Sequence, residues 1–404
     1  MKLRIRTVWA VALLGAAGVL FADAPSFSGF LDTRVTTSAG AGDSPQFSIG
    51  LEEYANLRMQ FKIRDSAVFY SAFNLIAVSG ANLQNAADLS LYNGALYPGL
   101  TGTAFMSGEN YAAALELERL YFRVNSDYAD FDAGLMRLAF GYSMVFGPSD
   151  FLNPKNPLAP DARLRGILGA AVSVYPNDEA KFLAFAAGPK NPLAAGGGGS
   201  LGGLSWDQHW ENLSLQALYA YETPQAGSDW GIHRAGLSLK TDVEAGLVAD
   251  ALYTYNPEAA PGIEGLSAAA GLDYSFAEGK LYVLAEYLYS GEKSATARSV
   301  QNPGGFAEQN YLYASMRYSF NDYTNGGLAC IFGFDDVSFT PVLSLEHDIF
   351  QGLTLSLSAQ VPLDRDSFTG NGQRGELGPI PPGQTTGAER GTYFTFITKL
   401  RLRY

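Results

Sequence analysis

The chain ends on a stretch that fits a strand with two unlike faces. Phe394, Phe396, Thr398, Leu400, Leu402 and Tyr404 fall on one side of the alternation. Tyr393, Thr395, Ile397, Lys399, Arg401 and Arg403 fall on the other. Side chains of a strand point to its two faces in turn. An apolar row backed by a cationic row, stopping on an aromatic, suits a strand between lipid and water.

The same alternation recurs upstream. Ser48–Ile63 sets Ser48, Gly50, Glu52, Tyr54, Asn56, Arg58, Gln60 and Lys62 against Ile49, Leu51, Glu53, Ala55, Leu57, Met59, Phe61 and Ile63. The second row is apolar or small except at Glu53. Leu353–Val361 and Tyr311–Phe320 repeat the pattern. This explains how a chain that is 47% apolar and 13% aromatic averages a mean hydropathy of −0.01: each apolar residue is cancelled by its polar neighbour. A helical membrane protein would instead gather apolar residues in runs of about 20.

The one long apolar run, Val8 to Phe21, follows Lys2, Arg4 and Arg6 and precedes Ala22 and Ala24. That is the layout of a secretory signal. Cleavage is expected after Ala22, with Ala24 the alternative, leaving residues 23–404 as one domain. The net charge of −13 becomes −16 once those three cations are removed. Nucleic acid, which needs basic patches, is excluded as a partner. The acidic total by itself favours cations. Cys330 is the single cysteine, so no internal disulfide framework exists.

Strands are predicted near residues 27–36, 48–63, 66–78, 114–125, 128–139, 164–175, 180–188, 212–222, 230–241, 244–256, 264–276, 280–290, 310–320, 325–334, 338–348, 352–362 and 391–404. In a membrane barrel, tight turns and long loops alternate and the strand number is even. Read from the N-terminus, 64–65, 125–127 and 176–178 are tight, while 79–112 and 140–163 are long. Read from the C-terminus, 363–389 and 291–309 are long, while 349–351, 321–324 and 277–279 are tight. The two phases clash between residues 189 and 211. One further strand resolves the clash: Leu204, Trp206, Gln208 and Trp210 alternate with Ser205, Asp207 and His209. Glu211–Asn212 would then turn it into the next strand. The result is an all-β, antiparallel, up-and-down transmembrane barrel of about 18 strands, with about 16 the alternative.

At this point the chain resembles bacterial outer-membrane β-barrel proteins, and porins among them. The resemblance covers the whole chain as architecture. It implies an outer-membrane location facing lipid, and a passive diffusion channel for small hydrophilic solutes, with no cofactor. A homotrimer is one assembly it implies. The alternative is an adhesin or structural barrel whose loops close the lumen. The end of the chain, Phe396, Leu400, Leu402 and Tyr404, looks like the signal read by the barrel-insertion machinery. Segment 140–163 stands where porins fold a loop into the lumen as the constriction. The resemblance makes Asp150, Lys155, Asp161 and Arg163 candidates to face charged wall residues. The acidic-aromatic-glycine motif of the general porins' loop is absent from it.

Alternation gives Glu52, Arg58, Lys62, Arg317, Glu346, Lys399 and Arg401 as pore-lining candidates. Opposed rows of charge would screen solutes by charge and size. An outer-membrane hydrolase would need His beside Asp, Ser or Asn. The three histidines, His209, His233 and His347, have no third member that spacing can name, so no enzyme activity is expected. No metal-ligand spacing occurs.

Overall fold

The structure, a computed structural model, describes residues 24–40, 47–63, 66–80, 102–108, 110–153, 157, 166–188, 199–224, 229–257, 262, 265–291, 309–335, 337–363 and 393–404. The expected signal segment lies outside them. In chain order the described strands are β1 Ser26–Gly40, β2 Phe47–Ile63, β3 Ala67–Gly80, β4 Gly102–Ser107, β5 Tyr111–Asn125, β6 Ala129–Met136, β7 Ile167–Asn177, β8 Ala180–Ala187, β9 Leu201–Trp210 and β10 Leu213–Glu222. Then follow β11 Ile232–Asp242, β12 Gly246–Tyr255, β13 Leu266–Phe276, β14 Leu281–Ser290, β15 Asn310–Asn321, β16 Thr324–Gly333, β17 Ser338–Phe350, β18 Leu353–Gln360 and β19 Tyr393–Arg403.

Each strand pairs antiparallel with its successor, save that β3 pairs β5 directly and β4 lies on the other edge of β5. β1 pairs both β2 and β19, so the ring closes. Setting β4 aside, the wall is a closed barrel of 18 strands. Closure gives every strand of the ring a neighbour on both sides, as a strand protein in lipid requires. The strand expected from the turn phase near residues 204–210 is present as β9, and Glu211–Asn212 is its turn. The alternative of about 16 strands falls. β4 was not expected; the sequence reads 79–112 as a loop.

Register keeps the rows in phase around the ring. Thr33 of β1 stands against Leu400 on one side and Glu53 on the other, and Asp32 stands against Arg401 and Tyr54. The row bearing Leu31, Leu51, Leu57, Leu237, Leu272, Leu343 and Leu402 is exposed, although it is apolar. It is the outward, lipid-facing row. Exposed rings gather at both ends of the barrel. Tyr128, Phe320, Tyr323, Phe350 and Tyr404 sit at one end, and Phe47, Trp230, Phe334 and Phe394 at the other. Such belts mark the two membrane–water interfaces.

The buried apolar clusters lie inside the ring. Two of them are built by the end of β6 and the residues after it: Met136, Leu138 and Phe140 pack with Ile167, Leu183, Phe185, Leu201 and Leu218. Val145 and Phe146 pack with Leu288, Tyr311 and Ile331. β6 stops at Met136, short of the expected 139, because the chain leaves the wall there and turns inward.

Candidate functional site

Residues 137–153 form the inserted segment. Two linked turns shape its return: Gly147 O accepts from Asp150 N at 2.9 Å, and Asp150 O accepts from Asn153 N at 2.9 Å. Pro148 occupies the second position of the first turn, where its fixed φ fits. Ser143 Oγ accepts from Gly147 N at 2.8 Å. Asn153 Nδ2 donates to Leu138 O and ties the two limbs at their root. Gly141 has φ +80°, and a Cβ there would collide with the Asp250 carboxylate; glycine is required for that approach.

The segment reaches inward-facing polar side chains on one arc of wall. Gln216 of β10 accepts from Gly141 N at 2.6 Å and donates to Asp207 of β9 at 2.5 Å. Asp250 of β12 accepts from Ser149 Oγ and, at 2.7 Å, from Ser238 Oγ of β11. Glu286 of β14 accepts from Ser143 Oγ at 2.5 Å, Phe146 N at 2.7 Å, Met144 N at 2.9 Å and Val145 N at 3.1 Å. Arg234 of β11 lies 5.0 Å over the Phe151 ring and pairs with Glu222 at 3.0 Å. Burial first, then the Asp207 carboxylate, push the Tyr142 phenol up to about 12, so it stays neutral at physiological pH.

By strand order, the arc β10–β14 lies diametrically across the ring from β19, β1, β2, β3 and β5. That second arc carries a different surface. Arg401 donates to Asp32 through Nε at 2.7 Å and Nη2 at 2.6 Å, and lies 4.6 Å over the Phe30 ring. Arg58 lies 5.8 Å from the same ring. Arg34 pairs with Glu52 at 3.6 Å. Below them, Asn56 Nδ2 donates to Asn74 Oδ1 and Glu118 Oε2, while Asn74 Nδ2 donates to Glu116 Oε2. In both ion pairs the cation covers the acid: side-chain exposure is 32% for Arg34 against 16% for Glu52, and 20% for Arg401 against 6% for Asp32. Arg58 and Lys62 are exposed.

Of the pore-lining candidates, Glu52, Arg58, Lys62, Lys399 and Arg401 occupy inward register positions on this arc. Arg317 is inward on β15, its guanidinium 5.8 Å over Tyr282, and Glu346 is inward and exposed on β17. Asp150 is 1% exposed and accepts from Phe140 N at 3.4 Å, at the root of the segment. Lys155, Asp161 and Arg163 lie outside the described residues. Phe396, Leu400, Leu402 and Tyr404 stand on the outward row of β19. Tyr404 exchanges backbone bonds with Gly29 at 3.0 and 3.1 Å, and its hydroxyl donates to Asn56 O at 3.0 Å.

The histidines stay apart. His209 meets Ser214 at 2.9 Å, His233 meets Tyr219 at 2.8 Å and His347 meets Thr324 at 3.0 Å. Among the described residues no acid completes any of these pairs.

The anchors Gln216, Asp250 and Glu286 were not singled out by sequence reasoning, though a signal was there. The inward row of β12 reads Val248, Asp250, Leu252, and that of β14 reads Leu284, Glu286, Leu288. A lumen row should be polar. Apolar rows with one acid each mean that something packs against them.

No family model matches this sequence, and no curated protein matches it significantly. Solved structures do match in fold. Pseudomonas aeruginosa OccK7 (OpdD) gives a TM-score of 0.56 at 10% identity, covering 94% of this chain and 98% of that one. Acinetobacter baumannii OccAB1 gives 0.56 at 10%, covering 95% and 97%. Pseudomonas aeruginosa OccK8 (OprE) gives 0.54 at 13%, covering 95% and 99%. The full-length coverage matches the 18-strand ring found here, and the chain has the fold of a porin-like outer-membrane barrel.

Proposed function

We propose that this chain is an outer-membrane porin, a passive diffusion channel for small hydrophilic solutes that performs no covalent chemistry. The observation that carries the reading is the division of the lumen. A segment covers the arc β10–β14, while the arc facing it keeps Arg58 and Lys62 exposed inside a closed ring. Charged side chains inside a barrel need water, and a watered lumen is a conduit. Asp150 supports the inserted segment as the constriction by fixing its root. Lys155, Asp161 and Arg163 belong to the same constriction.

The acidic total would favour cations, but the local order of exposure argues otherwise. Arg34 and Arg401 overlie Glu52 and Asp32. Of the far-arc acids, Asp250 and Glu286 are engaged by neutral donors from the segment and Glu222 by Arg234. Glu346 and Asp348 are the exposed counterweights on β17. A passing solute meets mainly guanidinium and ammonium groups, so small anions are favoured.

Residues 1–22 serve export, and the row ending at Tyr404 serves recognition by the insertion machinery. Homotrimer assembly belongs to the same reading, and the mass of the detergent-extracted complex tests it. The central test is planar-bilayer recording of the refolded chain. Steady unitary steps, with a reversal potential on the anion side in a salt gradient, are expected. Silence from folded protein would favour a barrel closed by its loops.

A further inference from the structure

Glu286 is unlike the other anchors of the inserted segment. It is fully buried. Its two oxygens take four neutral donors from one stretch of chain: Ser143 Oγ and the backbone N–H groups of Met144, Val145 and Phe146. Three successive N–H groups aimed at one point form a nest for an anion. Here the anion is part of the wall. Buried N–H groups need an acceptor, and Glu286 supplies one to all three.

The place of this cradle matters. The segment leaves the wall at β6 and its tip is held at β14, the strand diametrically across from β5. Gln216 and Asp250 hold only residues 141 and 149, on the limbs. We propose that Glu286 is the positioning residue that sets the aperture. By clamping residues 143–146 against the far arc, it keeps the tip out of the passage beside the basic wall. The clamp is a two-position device. With the tip docked, the carboxylate is covered and the passage is clear. With the tip released, residues 143–146 enter the passage and a bare carboxylate faces it. This rests on the channel reading above, but the clamp can be tested without conduction.

Val145 is 8% exposed at the clamped tip. In a Cys330→Ala background, Val145→Cys provides a single thiol there. A membrane-impermeant maleimide should label it slowly with Glu286 intact. With Glu286→Gln, which replaces one acceptor oxygen by a donor, labelling should quicken at least ten-fold. Glu286→Asp, which keeps the charge on a shorter stem, should fall between. In single-channel records Glu286→Gln should convert steady steps to millisecond flicker, with heat-modifiable gel mobility of the barrel unchanged. Should Glu286→Gln fail to fold, Ser143→Ala removes one donor, strands no charge, and should quicken labelling several-fold. Unchanged labelling in folded Glu286→Gln, or in Ser143→Ala where that variant is the one that folds, overturns the proposal. Faster labelling in a barrel that never conducts would uphold the clamp and sink the channel reading.

Discussion

The ion pair that spans the barrel's closing seam makes a quantitative prediction. Asp32 is on β1 and Arg401 on β19, directly opposed in register. The guanidinium binds both carboxylate oxygens, at 2.7 and 2.6 Å. Arg401→Met keeps most of the side-chain volume and removes the charge. It leaves Asp32, 4% exposed, without its cation. Removing one partner of a buried pair costs about 3–5 kcal/mol. Arg401 is only partly covered, which moves the expectation to the lower end, about 3 kcal/mol. The lost contact with Phe30 accounts for about 0.5–1 kcal/mol of that. The double variant Asp32→Asn with Arg401→Met leaves no orphan charge and should cost about 1 kcal/mol, the worth of an ordinary hydrogen bond. The two single changes should therefore be strongly non-additive. Urea unfolding of barrels refolded in vesicles gives the numbers. Trp206, Trp210 and Trp230, on or beside β9 to β11, report from the far arc. If the single costs simply add in the double variant, the seam is held by its backbone ladder and the pairing argument is wrong.

Arg58→Glu with Lys62→Glu should move the reversal potential toward cations, because both residues are exposed on the inward face. Glu53 is the single Asp, Glu, Lys or Arg on the outward rows of the described strands, bonded to Thr33 at 2.8 Å. Glu53→Leu should stabilise the barrel in vesicles by about 1 kcal/mol, since an acid among lipid tails costs less than the 2–4 kcal/mol of a cation; urea midpoints decide. A Cβ at Gly29 would collide with Asn56 O and lie 2.7 Å from the Tyr404 hydroxyl. Gly29→Val should therefore displace the C-terminal ring and slow folding into vesicles several-fold, seen as delayed appearance of the compact gel band.

The ring was legible because lipid and water select opposite side chains, and strand geometry turns that choice into a period of two. The same rule recovered β9, whose Trp206 and Trp210 alternate with Asp207 and His209 although glycines weaken its start. What alternation cannot report is what lies against the inward row. The resemblance makes Asp150 a constriction-loop candidate to face charged wall residues, and it sits 1% exposed at the root of the inserted segment. Conversely, Glu286 and Asp250 look like minor interruptions of apolar rows. Their neighbours Leu288, Leu284 and Leu252 needed a partner, and Val145 and Phe146 are that partner for Leu288. β4 escaped notice for another reason. It is short, it stands within a long connection, and only its neighbour's free edge gives it a place.

That free edge links β4 to the inserted segment. β5 runs from Tyr111 to Asn125, but β6 pairs only its Leu120–Asn125 half. The outer half of β6 is missing because the chain turned inward at Arg137. Left so, the Ala112–Glu116 edge of β5 would expose unpaired N–H and C=O groups beside a lipid-facing row, an arrangement that lipid does not tolerate. β4 fills the gap: Gly102 opposes Glu116 and Ser107 opposes Ala112. An inward loop thus requires a substitute strand, and the long connection before β5 supplies it. Removing residues 102–107 should strip exchange protection from the alternate amides of 112–116 that point away from β3, while those of 120–125 stay protected. Equal loss in both halves would mean that β4 supports the whole hairpin instead of patching the gap left by the insertion.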